Sequence, residues 1–183
     1  IGIDFGEDVI IAQSQFSEVL RVFHNELNKV TKAMMEDDFI LYFSSTKNFR
    51  KKIYPDYKGH RMKRKPLGYK RLVNYCRKNH NFKLIEGLEA DDTIAYIAHK
   101  LLDKEVTIMS SDQDFLQLVN NRITVWSPTK KKFYTPRMVM DDYGVPAHNF
   151  LMYKTLMGDK SDNIPGVKGL GPKKLPKILP DLF

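Results

Sequence analysis

The chain has 183 residues, of which 42% are hydrophobic and 28% are charged. This balance suits one compact domain, or one domain with a small appendage, and excludes global disorder. No apolar run approaches the ~18 residues of a membrane span, so a membrane partner is not expected. The single cysteine, Cys76, excludes an internal disulfide and fits a reducing, cytoplasmic compartment. The formal charge of +8 favours polyanionic partners.

Apolar periodicity predicts strands that alternate with helices along the chain. The predicted strands cover residues 1–5, 39–43 (a buried strand), 82–85, 106–109 and 123–126, and residues 131–134 are expected to form a hairpin arm. The predicted helices cover residues 16–34, 69–77, a segment from Glu89, a short segment from Asp112, and residues 136–143 and 147–157. This alternation predicts an α/β fold, with a twisted, mainly parallel sheet and helices on both faces. The α/β core is expected to span residues 1–145, and a small helical module residues 146–183.

Positive charge is concentrated in one segment, residues 47–80, which we call the basic arm. It holds 13 Lys or Arg and one acid, Asp56, so it carries 13 − 1 = +12 and the rest of the chain carries 8 − 12 = −4. Tyr54, Tyr57 and Tyr69 interleave with the cations, and aromatic rings can stack on bases while cations contact phosphates. The arm therefore predicts nucleic-acid contact. The cations expected to bind DNA are Arg50, Lys63, Arg64, Lys65 and Lys70.

Carboxylates recur at the ends of predicted strands and at the helix starts beyond them, where an α/β sheet places its ligands. They are Asp4, then Glu89, Asp91 and Asp92, then Asp112 and Asp114, and finally Asp159 and Asp162. Such a set repels itself unless cations compensate it, and oxygen-only ligands select Mg²⁺ or Mn²⁺. Two ions about 4 Å apart can activate water and neutralise the leaving oxygen in phosphodiester hydrolysis. For any one cluster alone a structural role stays open, since carboxylates also cap helices and favour helix dipoles.

The segment 163–174 reads as a glycine-rich turn between two helices. Its glycines would let the backbone approach a phosphate, and the next helix start offers free N–H groups with lysines beside them. The residues expected to clamp a duplex backbone are Gly166, Lys168, Gly169, Gly171, Lys173 and Lys174. The turn carbonyls are also suited to hold a monovalent cation.

Five motifs occur together in a recognisable order. They are Ile-Asp at 3–4, Phe-Arg…Tyr-Pro-Asp-Tyr-Lys-Gly-His-Arg at 49–61, Glu-Ala-Asp-Asp at 89–92, Ser-Asp-Gln-Asp at 111–114, and Gly-Asp-Lys-Ser-Asp-Asn-Ile-Pro-Gly-Val-Lys-Gly-Leu-Gly at 158–171. With them the chain resembles the 5′-nuclease family, which comprises flap endonucleases, the 5′→3′ exonuclease domain of bacterial DNA polymerase I and phage 5′→3′ exonucleases. The stretch from Arg61 to Tyr69 is most similar to phage replication exonucleases. The resemblance implies a PIN-like core followed by a helix–hairpin–helix.

The resemblance also implies roles for the matched positions. Asp4, Glu89, Asp91 and Asp92, with Asp112, would hold a first Mg²⁺ or Mn²⁺, and Asp112, Asp114, Asp159 and Asp162 would hold or orient a second. Tyr57 would stack on the terminal base, while Lys58 and Arg61 would grip the scissile phosphate. Residues 163–174 would form the helix–hairpin–helix and bind K⁺.

The implied activity is a metal-dependent 5′–3′ exonuclease and structure-specific flap endonuclease of phage DNA replication. Its substrates would be duplex DNA with a 5′ end or flap and RNA primers in RNA–DNA hybrids. It would act as a monomer in the cytoplasm of a bacterial host, with replication proteins as further partners.

Three departures from the family pattern stand out. Ser45 takes a position where the family usually has Asp, which bears on first-metal affinity. The 27 residues between Arg61 and Glu89 favour a short basic gateway over a large threading arch, and the chain ends soon after the hairpin, as a fragment or a minimal member.

Two alternatives stay open. One is a non-catalytic DNA-structure-binding protein, consistent with Ser45, and the other is a PIN-type ribonuclease.

Overall fold

The structure is a computed structural model that describes residues 2–4, 10–12, 15–34, 38–59, 68–172 and 174–182. The chain divides into two compact units: residues 1–43 with 62–84 (unit 1), and residues 44–61 with 85–183 (unit 2). Unit 2 contains both sides of the boundary predicted near residue 145, and that boundary stays a prediction. Within the described ranges, no helix has the length and apolar character needed to cross a membrane.

Short strands alternate with helices in both units, as an α/β fold requires. The strands are β1 (Gly2–Asp4), β2 (Ile10–Ala12), β3 (Leu41–Phe43), β4 (Phe82–Leu84), β5 (Val106–Met109), β6 (Ile123–Ser127), β7 (Lys132–Tyr134), β8 (Gly158–Asp159) and β9 (Ile164–Pro165). The α-helices are α1 (Phe16–Met34), α2 (Arg50–Ile53), α3 (Tyr69–Asn79), α4 (Ala90–Lys100), α5 (Pro136–Tyr143), α6 (Phe150–Met157) and α7 (Leu175–Ile178). Short 3-10 helices cover Gln113–Leu118, Ala147–Asn149, Lys160–Asp162 and Pro180–Leu182.

Most predicted elements lie within one or two residues of their predicted bounds, and three differ in burial or in helix type. The predicted strand 39–43 is formed only by Leu41–Phe43, and these residues are half-buried rather than buried. The predicted helix 147–157 begins with a 3-10 turn at Ala147–Asn149 before α6. The short helix after Asp112 is of the 3-10 type, which is common in pieces of this length.

The sequence predicts a mainly parallel sheet, but in the described residues strands pair in parallel only where a helical segment connects them. Among the described residues, β3–β4 and β5–β6 pair in parallel, whereas β1–β2, β6–β7 and β8–β9 pair antiparallel. The antiparallel pairs join strands that follow each other directly in the chain, which a short turn permits. The β6–β7 pair is the predicted hairpin arm, with Trp126 opposite Phe133.

The core of unit 2 lies between the β5–β6–β7 sheet and the helices around it. Strand β6 buries every second residue, Ile123, Val125 and Ser127, as expected for a strand with one covered face. Phe150, at the start of α6, is fully buried in the same cluster. Helix α5 is held in register by its ends: the Thr135 hydroxyl accepts the Met138 amide, and Gly144 takes the left-handed conformation that ends the helix.

Unit 1 is organised around a cluster of aromatic rings between α1 and α3. The His80 ring lies 5.6 Å from Phe23, 5.8 Å from Phe39, 5.9 Å from Tyr75 and 6.0 Å from His24, measured between ring centroids. The His24 Nε2 is 3.0 Å from the Tyr75 hydroxyl. The buried Nε2 of His80 has no hydrogen-bond partner in the described structure, and burial, with a smaller contribution from His24, lowers the pKa of His80.

We expect unit 1 to lose stability as the pH falls below about 6.5, the ordinary histidine value. In that range the unfolded chain takes up a proton at His80 that the folded chain resists, so unfolding is favoured. Chemical denaturation at pH 7.5 and pH 5.5 measures the change in unfolding free energy. His80→Phe, which keeps a ring in the cluster, should reduce that change, whereas His99→Phe at an exposed position of α4 should not. An equal pH dependence in wild type and His80→Phe would contradict this account.

Candidate metal centre and nucleic-acid interface

Glu89 precedes the first turn of α4 and is the centre of a buried polar network. The Tyr57 hydroxyl donates to Glu89 Oε2 at 2.7 Å, and the Lys58 Nζ donates to Glu89 Oε1 at 2.8 Å. The side chains of Tyr57 and Glu89 are both buried, so these bonds form away from bulk water. Burial and the bond to Glu89 raise the pKa of Tyr57, which keeps its hydroxyl protonated as a donor. Both oxygens of Glu89 are therefore held by donors from the basic arm.

Arg50, in α2, forms a two-pronged ion pair with Asp92, in the first turn of α4. Its Nη1 and Nη2 lie 2.8 Å and 2.5 Å from the two carboxylate oxygens. The Asp92 Oδ2 also accepts the Glu89 backbone amide at 3.0 Å, so Asp92 fixes the start of the helix. The hydrogen bond to Arg50 lowers the pKa of Asp92 and raises that of Arg50. DNA contact by Arg50 stays a prediction, and in this structure its guanidinium is used internally.

Residues 54–58 are hydrogen-bonded to Asp162 and Asn163, close to the C-terminal end of the chain. The Lys58 amide donates to the Asp162 carbonyl at 3.0 Å, and the Lys58 Nζ lies 3.8 Å from Asp162 Oδ2. The Asn163 side chain donates to the Asp56 carbonyl, and the Tyr54 hydroxyl donates to the Asn163 carbonyl. Lys58 has a φ of 53°, an uncommon value for a residue with a side chain. These contacts set the Lys58 ammonium between Glu89 and Asp162.

A second cluster of carboxylates lies around Lys154, on α6. Its Nζ lies 3.1 Å from Asp114 Oδ1 and 2.5 Å from Asp159 Oδ2. Asp112 caps the 3-10 helix, and its Oδ1 accepts the Asp114 amide at 3.0 Å. The other oxygen of Asp159 accepts both the amide and the hydroxyl of Ser161. The structure thus brings Asp114 and Asp159 to one cation, with Asp112 beside them.

One cavity of about 230 Å³ is lined by carboxylates from both clusters, the one at the start of α4 and the one around Lys154. Asp91 and Asp92 from α4 and Asp114 from the 3-10 helix line it, together with Arg50. Burial, and next the charge of Glu89, raises the pKa of Asp91, and burial raises that of Asp114. Carboxylates with raised pKa values are incompletely compensated, and a hard cation would favour their charged form. The chemistry of this donor set therefore fits Mg²⁺ or Mn²⁺.

Most of these carboxylates nevertheless form ion pairs with the side chains of Arg50, Lys58 or Lys154. Within the part of the chain that the structure describes, no three His, Cys, Asp or Glu side chains lie close enough together to hold a metal ion. Burial raises the pKa of Asp159, but the hydrogen bonds from Lys154 and Ser161 outweigh it and lower that pKa to about 2. Burial lowers the pKa of Lys154, yet its bonds to Asp159 and Asp114 raise it above the ordinary value. The ammonium and the Asp159 carboxylate are thus both charged at neutral pH.

Several predicted site residues lie in unit 1 or outside the described ranges. Asp4 ends β1 in unit 1, and its side chain lies outside the described residues. Lys70 is exposed on α3, also in unit 1. The predicted cations Arg61, Lys63, Arg64, Lys65 and Lys173 fall outside the described ranges. Their predicted roles stay predictions. The same holds for stacking by Tyr57, whose ring is only 5% exposed in this structure.

The two serines after β3 lie at the start of α4. The Ser44 hydroxyl accepts the Ala90 amide at 3.0 Å, and the Ser45 amide donates to the Leu88 carbonyl. The Ser45 hydroxyl accepts the Lys47 amide at 3.2 Å. Both serines therefore lie beside Glu89 and support the turn. The correspondence of Ser45 to the family's additional Asp stays a prediction.

The glycine-rich end begins with a tight antiparallel pair, β8 and β9. Gly158 has a φ of 74°, and a Cβ on it would lie 2.2 Å from the Gly166 amide nitrogen. A Cβ on Gly166 would lie 2.3 Å from the Met157 carbonyl oxygen, so the approach of two backbone segments already requires glycine at both positions. Beyond them Lys168, Gly169 and Lys174 are exposed, and Gly171 has open space around its Cα. DNA contact by these residues stays a prediction.

Sequence reasoning overlooked Lys154. The signal was present, because Lys154 is the single charged residue of α6, whose sequence is Phe-Leu-Met-Tyr-Lys-Thr-Leu-Met. A charge is seldom placed in an apolar helix without a partner. The partners themselves, at positions 114 and 159, were not predictable from spacing.

Comparison with known proteins identifies the family. The domain described as "5′-3′ exonuclease, N-terminal resolvase-like domain" matches residues 8–144. The chain belongs to this 5′–3′ exonuclease family. The 5′-3′ exonuclease of Aquifex aeolicus is 38% identical over 146 residues, which are 76% of this chain and 50% of that protein. The 5′-3′ exonuclease of Buchnera aphidicola subsp. Schizaphis graminum is 35% identical over 167 residues, which are 85% of this chain and 55% of that protein.

Solved structures of this exonuclease family are similar to the chain as well. A bacteriophage T5 flap endonuclease, in a pseudo-enzyme-product complex with DNA and metal ions, has a TM-score of 0.74 and 26% identity, covering 88% of this chain and 66% of that one. The T5 5′-exonuclease with bound zinc has a TM-score of 0.72 at 26% identity, with 88% of this chain and 66% of that one covered. The chain spans about half the length of the curated exonucleases it matches.

Proposed function

We propose that the protein is a divalent-metal-dependent 5′–3′ exonuclease and flap endonuclease that hydrolyses phosphodiester bonds near 5′ ends of duplex DNA. The observation that carries the proposal is the cavity shared by Asp91, Asp92 and Asp114, with Arg50 in its lining. Family membership supports it, as do the metal ions and DNA in the T5 structures. RNA primers in RNA–DNA hybrids are proposed as further substrates, because backbone contacts and metal chemistry do not read base identity.

The acidic residues of unit 2 would hold the ions in two groups. Glu89, Asp91, Asp92 and Asp112 would serve the first, and Asp112, Asp114, Asp159 and Asp162 the second. Two Mg²⁺ or Mn²⁺ ions bound there would supply an activated water and neutralise the leaving oxygen.

The chain's own cations would complete the site. Lys58 is held by Glu89 and Asp162, with its ammonium 4.8 Å from the centre of the Tyr57 ring. From this position it would bind a phosphate oxygen and stabilise the charge that develops during cleavage. Arg50, fixed by Asp92, adds positive charge at the cavity wall. The exposed turn with Lys168 and Gly169 would clamp the duplex as part of a helix–hairpin–helix, with K⁺ on its carbonyls.

A labelled 5′-flap substrate tests the proposal, with product lengths resolved in the presence of Mg²⁺. We expect cleavage near the 5′ end, loss of cleavage with EDTA, and its return with excess Mg²⁺ or Mn²⁺. Single-stranded RNA and nicked duplex serve as comparison substrates. Flap binding without cleavage in any divalent ion would favour the non-catalytic DNA-binding alternative, and preference for single-stranded RNA would favour the ribonuclease.

A further inference from the structure

The ammonium of Lys154 lies between the carboxylates of Asp114 and Asp159, which with Asp112 we call the acidic cluster. Lys154 comes from the middle of α6, where it is the single charged residue, and its side chain is 21% exposed. Its ammonium contacts Asp114 at 3.1 Å and Asp159 at 2.5 Å. These two carboxylates belong to different elements, the 3-10 helix Gln113–Leu118 and strand β8. The ammonium therefore lies where side chains distant in sequence converge.

The Asp159 carboxylate and the backbone of Asp114 are held in place independently of Lys154. Asp159 accepts the Ser161 amide at 2.8 Å and the Ser161 hydroxyl at 2.7 Å through its other oxygen. Asp114 is positioned by its backbone, because its amide donates to the Asp112 cap. Removal of the lysine charge would leave the oxygens close together and facing the same position. Such a pair attracts a cation from solution.

We propose that the Lys154 ammonium is a resident counterion that competes with the second divalent ion, which binds only when the lysine side chain withdraws from Asp114 and Asp159. This inference rests on the proposed function, since it concerns the same metal ligands. A divalent ion and an ammonium repel each other strongly at contact distance, so the two do not share one oxygen pair. Lysine suits this exchange because its ammonium is a compact charge on a flexible stem.

The exchange gives the protein two compensated states. Without metal, Lys154 reduces the repulsion between Asp114 and Asp159 and stabilises the fold. With metal, the divalent ion takes over that role and the lysine becomes available to solvent or to a substrate phosphate. The cost is a weaker affinity for the second ion, so its occupancy depends on the concentration of free Mg²⁺ or Mn²⁺.

Mn²⁺ titration of the metal-free protein tests the inference without any activity measurement. Wild type, Lys154→Met and Lys154→Gln are titrated by calorimetry and by electron paramagnetic resonance of free Mn²⁺. Of the two Mn²⁺ ions, we expect both variants to bind the second, more weakly held one about fivefold or more tighter than wild type does. Their metal-free melting temperature should fall, and the rise on adding Mn²⁺ should exceed that of wild type. Lys154→Arg, which keeps the charge, should retain the wild-type affinity.

Lys132→Met is the matched control. It removes a lysine that also lies 2.5 Å from a carboxylate, that of Asp142, outside the acidic cluster. Its Mn²⁺ affinity should equal that of wild type. Equal or weaker Mn²⁺ binding by both Lys154 variants, with binding retained in wild type, overturns the inference and leaves the proposed function intact. Absence of Mn²⁺ binding in wild type and in both variants overturns the proposed function itself, and the inference with it.

Discussion

Asp112→Asn is expected to reduce cleavage of a 5′-flap substrate about a thousandfold or more, without weakening DNA binding. The carboxylate of Asp112 precedes the 3-10 helix and lies beside Asp114, and it is the one residue proposed to serve both ions. Asparagine keeps the shape and removes the charge that a hard ion requires. DNA binding depends on cations and backbone contacts, so loss of an acid should not weaken it. Single-turnover cleavage and fluorescence anisotropy measure the two quantities separately.

The substitution is informative because it leaves the fold in place. Asp112 caps the 3-10 helix through its bond to the Asp114 amide, and asparagine is an equally good cap. The unfolding free energy of the Asp112→Asn variant should therefore stay within about 0.5 kcal/mol of the wild-type value. Asp103→Asn, at an exposed turn of the same unit, is the control and should cleave normally. Normal cleavage by Asp112→Asn would remove this residue, and the double role given to it, from the site.

The elements that could be predicted from sequence are those whose ends are set locally. Helix α1 spans the whole predicted apolar stripe, from Phe16 to Met34, because that stripe has helical period throughout. Helix α5 matches because Thr135, Pro136 and Gly144 define its ends within a few residues. Strand β3 was predicted too long, since the apolar run 39–43 does not show how many of its residues find a partner. Its register, Leu41 opposite Phe82, depends on a segment 41 residues away.

The same distinction applies to the site. The positions of the carboxylates followed from sequence, because strand ends and helix starts are local features. The way in which their charges are compensated did not, because each pairing joins distant segments: Arg50 with Asp92, Lys58 with Glu89, and Lys154 with Asp114. The basic arm was interpreted as a surface for nucleic acid alone. In the structure, two of its cations neutralise acids at the start of α4, Glu89 just before the helix and Asp92 in its first turn.

Glu89→Gln is expected to have the largest combined effect, a loss of cleavage of about a thousandfold or more and a loss of about 1–3 kcal/mol of stability. Glu89 is only 9% exposed and accepts hydrogen bonds from Tyr57 and Lys58. Glutamine has the same shape but one acceptor oxygen, so its amide group must face either the hydroxyl or the ammonium. The Lys58 ammonium then loses its nearest anionic partner, and the Asp162 carboxylate lies farther away, at 3.8 Å. Urea denaturation and flap cleavage measure the two losses.

A double-mutant cycle with Lys58→Met separates the ion pair from other effects of the substitution. Because the Lys58–Glu89 pair is largely buried, with side chains 18% and 11% exposed, we expect a coupling free energy of about 1–3 kcal/mol. The pair Lys47–Glu86 is the matched control: its atoms are 3.0 Å apart, but the side chains are 79% and 73% exposed. Its coupling should lie below about 0.5 kcal/mol, since water screens it. If the two cycles gave the same coupling, Glu89 would not be the buried anchor of Lys58, and the proposed position of that lysine at the scissile phosphate would lose its support.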